Sequence, residues 1–200
     1  MNATKILIGL IFLLALPIVN INAQSTVGIR AGVISSKFDV QNGDIAEDYE
    51  SKLGADIALV ADFPIGIFSI SPEFHWLQKG AKLKDLDGTL NDATRTFNYL
   101  EIPLLTKVTF GDEVAFFFMA GPSVGYLLNG TDKDNDGQTN DFDLDFYKRI
   151  EYGLHVGGGV QFGVVRIDLR YIFGLSNVFD DDTEVEINNT SIGAGLSLIF

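Results

Sequence analysis

The alternation of side chains across 98–110 limits what this chain can fold into more than any other feature. Successive side chains of a β-strand point to opposite faces. One parity of this run is almost entirely apolar, and its members are Leu100, Ile102, Leu104, Thr106, Val108 and Phe110. The other parity carries Glu101, Lys107 and Thr109. The charged face can be the interior only if the outside of the protein is lipid.

The same pattern recurs along the chain and predicts eight strands, at 25–38, 51–63, 67–78, 98–110, 114–128, 146–162, 165–173 and 189–200. Most exceed the roughly 9–11 residues that a tilted strand needs to cross a bilayer. Long polar segments follow every odd strand and short turns every even one, which is typical of outer-membrane barrels. Lipid also requires closure, because an open sheet edge would leave backbone groups unsatisfied. The sequence therefore predicts an all-β, eight-stranded, closed, antiparallel up-and-down transmembrane barrel.

Residues 1–23 are predicted to be a secretory signal peptide, and 24–200 the barrel domain. Lys5 precedes an apolar run at 6–16, and Ala23 ends a plausible cleavage site before Gln24. An uncleaved anchor is the alternative, although the run is short for a spanning helix. The chain has no cysteine, so we expect neither a disulfide framework nor a lipid-modified cysteine.

The formal net charge of −13 argues against nucleic acid as a partner. Most of the acids lie in the four long connections, at 39–50, 79–94, 129–145 and 176–188. Such a rim attracts cations and basic partners, or it only solvates the loops and bridges lipopolysaccharide phosphates through divalent ions.

The charged parity predicts a nearly balanced lumen of six acids and five bases: Asp56, Asp62, Glu73, Glu101, Glu151 and Asp168, against Arg30, Lys107, Arg149, Arg166 and Arg170. An eight-stranded barrel is only wide enough for its side chains to fill. Buried charges must be paired, so the set predicts an ion-pair network that plugs the barrel. A narrow polar conduit is the alternative. A soluble lipocalin-like barrel would need the opposite parity, with an apolar interior.

The segment 132–143 matches the opening of a calcium-binding loop. Gly137 supplies the sharp turn, and the candidate ligands are Asp132, Asp134, Asp136, Asn140 and Asp143. The last of these is one methylene shorter than the usual bidentate glutamate, so we expect a weak external Ca²⁺ site. The alternative is a solvated acidic loop. No other cofactor is predicted.

Catalysis is not predicted. The only two histidines, His75 and His155, both have the inward parity. A lipid-modifying barrel enzyme would need a nucleophile and a base at its lipid-facing outer edge, and no Ser-His-acid set can be assigned by spacing.

The run at 99–105, Tyr-Leu-Glu-Ile-Pro-Leu-Leu, resembles a pattern typical of the small outer-membrane barrels of Bacteroidota, the porin-family or PorT-like proteins, which are OmpA-like in size. The segments 120–128 and 152–159 are similar to the next strands of that family. The resemblance covers the whole chain after the leader and implies no shared catalytic residue. The terminal Phe200 resembles the signal read by the barrel-assembly machinery, although it could equally belong to an interfacial aromatic girdle.

These observations predict a protein of the Gram-negative cell outer membrane with a structural or interaction role, as an accessory to an export or envelope complex. Its expected partners are membrane lipid and lipopolysaccharide, the barrel-assembly machinery and an envelope protein complex. A small-solute channel is the first alternative and a lipid-modifying enzyme the second.

Overall fold

The computed structural model describes residues 25–41, 49–83, 93–134, 139–141, 148–176 and 186–200. In these ranges there are nine strands: β1 (Thr26–Gln41), β2 (Tyr49–Ile65), β3 (Phe68–Leu83), β4 (Ala93–Phe110), β5 (Val114–Asp134), β6 (Thr139–Asp141), β7 (Ile150–Phe162), β8 (Val165–Gly174) and β9 (Glu186–Ile199). No helix within these ranges is long and apolar enough to span a membrane. The predicted signal peptide lies outside the described residues.

Eight of these strands close into a barrel, and β6 adds a short ninth at one edge. The hydrogen-bonded order is β4-β3-β2-β1-β9-β8-β7-β5-β6, and β4 also pairs with β5, which closes the ring. All pairings between neighbours are antiparallel. The predicted closed, eight-stranded antiparallel barrel is confirmed.

The short turns lie at one end of the barrel, together with the start of β1 and the end of β9. We call this end of the barrel the turn end. The turns contain Gly66, Gly111 and Gly163, whose φ angles of 67°, 103° and 54° favour glycine. At this end the first and last strands meet, because the amide of Phe200 donates to the carbonyl of Val27 at 2.7 Å. The opposite end, where the long connections leave the strands, is the loop end.

The outer face of the barrel wall is apolar and the inner face carries the charged side chains, as the alternation predicts. Leu59 and Phe118 on the outer face are 61% and 66% exposed, whereas the neighbouring inward charges Arg30 and Glu101 are each 1% exposed. Apolar side chains also fill part of the lumen, among them a cluster of Leu105, Phe117 and Met119. The arrangement of a soluble barrel, with an apolar interior and a polar exterior, is therefore excluded.

Several strands run further toward the loop end than the hydropathy pattern predicts. β3 continues to Leu83, β4 begins at Ala93 and β5 continues to Asp134, through segments that were predicted to be loops. Here the outward positions carry polar side chains such as Lys82 and Asn98, so backbone pairing continues without the apolar outer face that reveals a strand, although Ala81 and Phe97 on the inner face are buried. The opposite error occurs in β7, which begins at Ile150 rather than at 146.

An extension of the barrel wall rises from the loop end as a result, and β3 accompanies β4 in it as far as the pair Leu83–Ala93. The pairing of β5 with β7 stops at Tyr126 and Ile150. β5 nevertheless continues, paired with β4 on one side up to Ala93 and with β6 on the other. We call the part of this extension formed by β4, β5 and β6, residues 93–98, 127–134 and 139–141, the loop-end ribbon.

Candidate functional site

Six charged side chains from β1, β2, β3 and β8 form a closed ring of ion pairs across the middle of the lumen, in the order Arg30, Asp56, His75, Glu73, Arg170 and Asp168. Arg30 binds Asp168 through two bonds, from Nε at 3.0 Å and from Nη2 at 2.9 Å. Its Nη1 donates to Asp56. One guanidinium therefore connects three strands.

His75 and Arg170 complete this central ring. The two ring nitrogens of His75 each lie 2.7 Å from a carboxylate oxygen, Nδ1 from Asp56 and Nε2 from Glu73. An ionised carboxylate can only accept, so both nitrogens carry protons and the imidazole is a cation. Arg170 donates to Asp168 at 2.8 Å and to Glu73 at 3.2 Å. The central ring is thus three cations alternating with three anions.

A second cluster lies nearer the loop end and joins β3, β4 and β7. The ammonium of Lys79 donates to Glu101 at 2.8 Å and to Glu151 at 2.6 Å. It also lies 5.2 Å from the centroid of the Tyr99 ring, within cation–π range. Nε2 of His155 contacts the other oxygen of Glu101.

A third cluster fills the turn end. Asp62 on β2 accepts from Arg166 at 2.6 Å, and also from Lys107 and Ser71. The two cations lie 5.3 Å and 5.5 Å from the centroid of the Phe117 ring, which is 1% exposed. Asp62 therefore joins β2 to β3, β4 and β8 at the turn end, and the buried Phe117 ring packs against the two cations there.

Every predicted lumen residue except Arg149 is buried and ion-paired. The prediction for Arg149 is wrong: it is exposed and precedes the first residue of β7, so the parity of that strand does not apply to it. Lys79 takes its place in the lumen, although it lies in the segment 79–94 that the polar composition predicts to be a loop. Its shared parity with Glu73 and His75 was the signal that could have placed it inside.

The candidate calcium segment is only partly described. Asp136 lies outside the described residues, as does Asp143, and of Asp134 only the backbone is described. Asp132 lies opposite Asn140 in the β5–β6 ladder, and Arg95 donates to it at 3.2 Å. Asp132 and Asn140, the first and ninth positions of the candidate calcium loop, are therefore paired across two β-strands, and this geometry differs from that of a compact calcium-binding loop. The calcium site stays a prediction.

The described residues contain no group of three or more histidine, cysteine, aspartate or glutamate side chains arranged to hold a metal ion. What the three clusters can do is bind neighbouring and distant strands to one another through the lumen. Buried charge of this kind stabilises only when it is fully paired, and removal of one partner leaves a costly unpaired group.

Comparison with known families gives a direct match. The family model described as an outer membrane protein beta-barrel domain matches residues 22–180. No curated protein matches the chain in sequence.

Among solved structures, the outer membrane enzyme PagL is 12% identical with a TM-score of 0.50, over 84% of this chain and 98% of PagL. Ail, the attachment invasion locus protein of Yersinia pestis, is 14% identical with a TM-score of 0.46, over 88% of this chain and 99% of Ail. Neisserial surface protein A is 15% identical with a TM-score of 0.45, over 86% of this chain and 96% of that protein. At these identities the likeness to PagL concerns the fold alone.

Proposed function

This chain belongs to the family of outer-membrane β-barrel domains, and from that premise we propose that it is a closed, non-conducting barrel with a structural or interaction role, an accessory to an export or envelope complex. The observation that carries the proposal is the filled lumen. Three paired clusters, at the loop end, the middle and the turn end, occupy the space that a solute would need. An eight-stranded barrel has no further width to offer.

The loop-end ribbon supports the interaction role. It is paired backbone that rises past the point where β7 begins, so it presents an ordered surface outside the lipid. Its side chains also contact one another: Asn98 donates to Asn129 at 2.6 Å, and Arg95 pairs with Asp132. A preformed surface binds a partner without the entropic cost of ordering a loop.

The proposed subfamily and the accessory role in export rest on the sequence resemblance. The 99–105 run and its two companion segments resemble PorT-like barrels of Bacteroidota, which favours an accessory role in export. Delivery would use the leader at 1–23, and insertion would use the barrel-assembly machinery acting on Phe200. Lipopolysaccharide is the expected lipid neighbour of the loop end, which carries most of the acids.

The test is the native mass of the protein after mild detergent extraction from its own outer membrane. We expect a species much heavier than a monomer in its micelle, whose companions can then be identified. Lys133→Glu, on the exposed part of the loop-end ribbon, should weaken that assembly, whereas Glu113→Lys at the turn end should leave it intact. A clean monomer in the unaltered strain would contradict the accessory role.

A lipid-modifying enzyme is the less favoured function because of where the histidines are. His75 and His155 both lie in the lumen, bound to carboxylates and 1% exposed. Neither side chain is placed to act as a base at the lipid-facing surface. Altered lipid A in a deletion strain, restored by the wild-type gene, would reverse this preference.

A further inference from the structure

We propose that the outer wall of the barrel over β9, β1, β2 and β3 binds one molecule of lipopolysaccharide, with an acyl chain in an apolar groove and the phosphorylated headgroup against two lysines above it. We call this groove the wall groove, and the side chains that define it are Ile29, Ala31, Ile57, Leu59, Trp76 and Leu196. The inference rests on the proposed function only for the orientation of the barrel, with the loop end facing out of the cell.

One small side chain in a row of large ones opens the wall groove. Ala31 lies on the outer face of β1, and its ladder neighbours are Ile57 on β2 and Leu196 on β9. Trp76 on β3 extends this row beyond Ile57. The next row toward the turn end has no small member and forms the lower rim: Leu59, Ile29 and Leu198. The result is a recess with a volume of about 490 Å³.

The chemistry of the wall groove selects hydrocarbon. Its walls are almost entirely apolar, and it lies in the outer face that contacts lipid tails in an outer-membrane barrel. Arg30 also borders it, but the guanidinium of Arg30 points into the lumen and binds Asp168 there. A flexible acyl chain fills such a recess, whereas the flat wall of a second barrel would leave it empty and lose dispersion contacts.

Trp76 marks the level at which the wall groove opens. It is the last apolar side chain on the outer face of β3, because the outward positions beyond it are Gln78, Gly80 and Lys82. Tryptophan is enriched where lipid tails meet headgroups. The strands of a barrel are tilted, so the ladder row runs obliquely from Trp76 down to Leu196, in the middle of the apolar face of β9. The wall groove therefore belongs to the loop-end leaflet, where lipopolysaccharide is the expected lipid.

Two lysines lie above the wall groove on its loop-end side. Lys37 has the outward parity of Ala31 on β1, Lys82 has that of Trp76 on β3, and both are exposed. Each lies about 20 Å along its strand from that groove residue. The ladder register places the two lysines at one level, two strand spacings or about 10 Å apart. Neither forms an ion pair within the described part of the chain, and Lys82 forms none with its ladder neighbour Glu50.

The two lysines select an anionic headgroup that is broad. Lysine stems extend their ammonium groups toward lipid phosphates. Two cations about 10 Å apart suit a phosphorylated disaccharide, whereas a phospholipid presents a single phosphate. An acyl chain that hangs from a headgroup at the level of Lys37 and Lys82 reaches the wall groove. Lipopolysaccharide combines these features in one molecule.

Purified lipid A is the probe, and Trp76 is the reporter. The folded protein, in detergent free of lipopolysaccharide, is titrated with lipid A, and native mass spectrometry identifies and counts the bound lipid. Trp76 is the only tryptophan of the chain and lines the wall groove, so its fluorescence reports occupation of the groove. We expect one lipid A per barrel and a change in emission that saturates at the same concentration. The result does not depend on any partner protein.

Two sets of variants test the two parts of the site. Ala31→Leu fills the wall groove and displaces about two methylenes of the chain, so lipid A should bind about tenfold more weakly. Lys37→Gln combined with Lys82→Gln should weaken binding and reduce its dependence on salt. The matched controls are Ala61→Leu, on the outer face of β2 outside the groove, and Lys148→Gln, an exposed lysine beside β7. Both controls should bind lipid A as the wild type does.

Three results would overturn the proposal. The first is equal binding of phosphatidylethanolamine and lipid A by the wild-type protein, which would reduce the groove to ordinary lipid contact. The second is undiminished binding of lipid A by Ala31→Leu, with its folded state confirmed by heat-modifiable electrophoretic mobility. The third is an unchanged Trp76 emission when one lipid A is bound, because the lipid would then lie elsewhere on the barrel.

Discussion

Replacement of Arg30 by methionine should destabilise the barrel far more than loss of any surface charge. Arg30 is 1% exposed and donates three hydrogen bonds to two carboxylates on two other strands. Methionine keeps the unbranched stem but removes every donor. Asp56 and Asp168 would then remain buried with one fewer cation between them.

The expected loss in the free energy of unfolding on replacing Arg30 by methionine lies near the lower limit of the usual range. Removing one partner of a buried ion pair costs about 3–5 kcal/mol. Asp168 keeps Arg170 at 2.8 Å and Asp56 keeps His75 at 2.7 Å, so neither carboxylate is left alone. We therefore expect a loss of about 3 kcal/mol in the free energy of unfolding, a change of about a hundredfold in the equilibrium constant.

Denaturant titration of the protein in lipid or micelles measures this loss. Trp76, the only tryptophan in the chain, lies on β3 and reports unfolding by fluorescence. The matched control is Arg95→Met, which breaks a pair whose side chains are 32% and 26% exposed and should cost at most about 1 kcal/mol. Equal effects of the two substitutions would refute the view that the central ring stabilises the barrel.

Three further outcomes can be tested, two that follow from the structure and one that follows from the sequence of the candidate calcium segment. A Cβ at Gly195 would lie 2.3 Å from Cζ of Arg30, so Gly195→Ala should displace the guanidinium and cost about 1–3 kcal/mol in the same titration; an unchanged unfolding midpoint would contradict this. Leu59→Arg, on the lipid-facing side, should cost about 2–4 kcal/mol, and Phe110→Arg beside a turn no more than about 1 kcal/mol; equal costs would argue against a bilayer around β2. Calorimetry should detect calcium with a dissociation constant of about 0.1–1 mM, and Asp136→Asn should abolish the heat; a folded wild-type barrel that gives no heat excludes the site.

The wall of the barrel could be predicted from sequence because one physical rule governs it. Lipid outside and charge inside impose a period of two, so the inward parity of Asp56, Glu73 and Asp168 was readable from each strand alone. The same rule fails where lipid ends. The alternation does not reveal Lys79, because a polar run follows it, and it predicts an inward Arg149, because it starts the strand before Ile150.

The pairing within the lumen could not be predicted at all. Arg30 and Asp168 are separated by 138 positions, and only the closure of β1 through β9 onto β8 brings them together. Parity shows which face a side chain occupies but not which partner it meets across the lumen. That partner depends on strand register and on tilt, and neither leaves a mark in hydropathy.

The most direct test of the plugged barrel is the current through single protein molecules in a planar lipid bilayer, with an open porin inserted under identical conditions to confirm fusion. The paired clusters from the Lys79 level down to Phe117 predict no steady conductance above the bare membrane. A stable, ion-conducting open state in the monomeric wild-type protein would contradict the account and favour a small-solute channel.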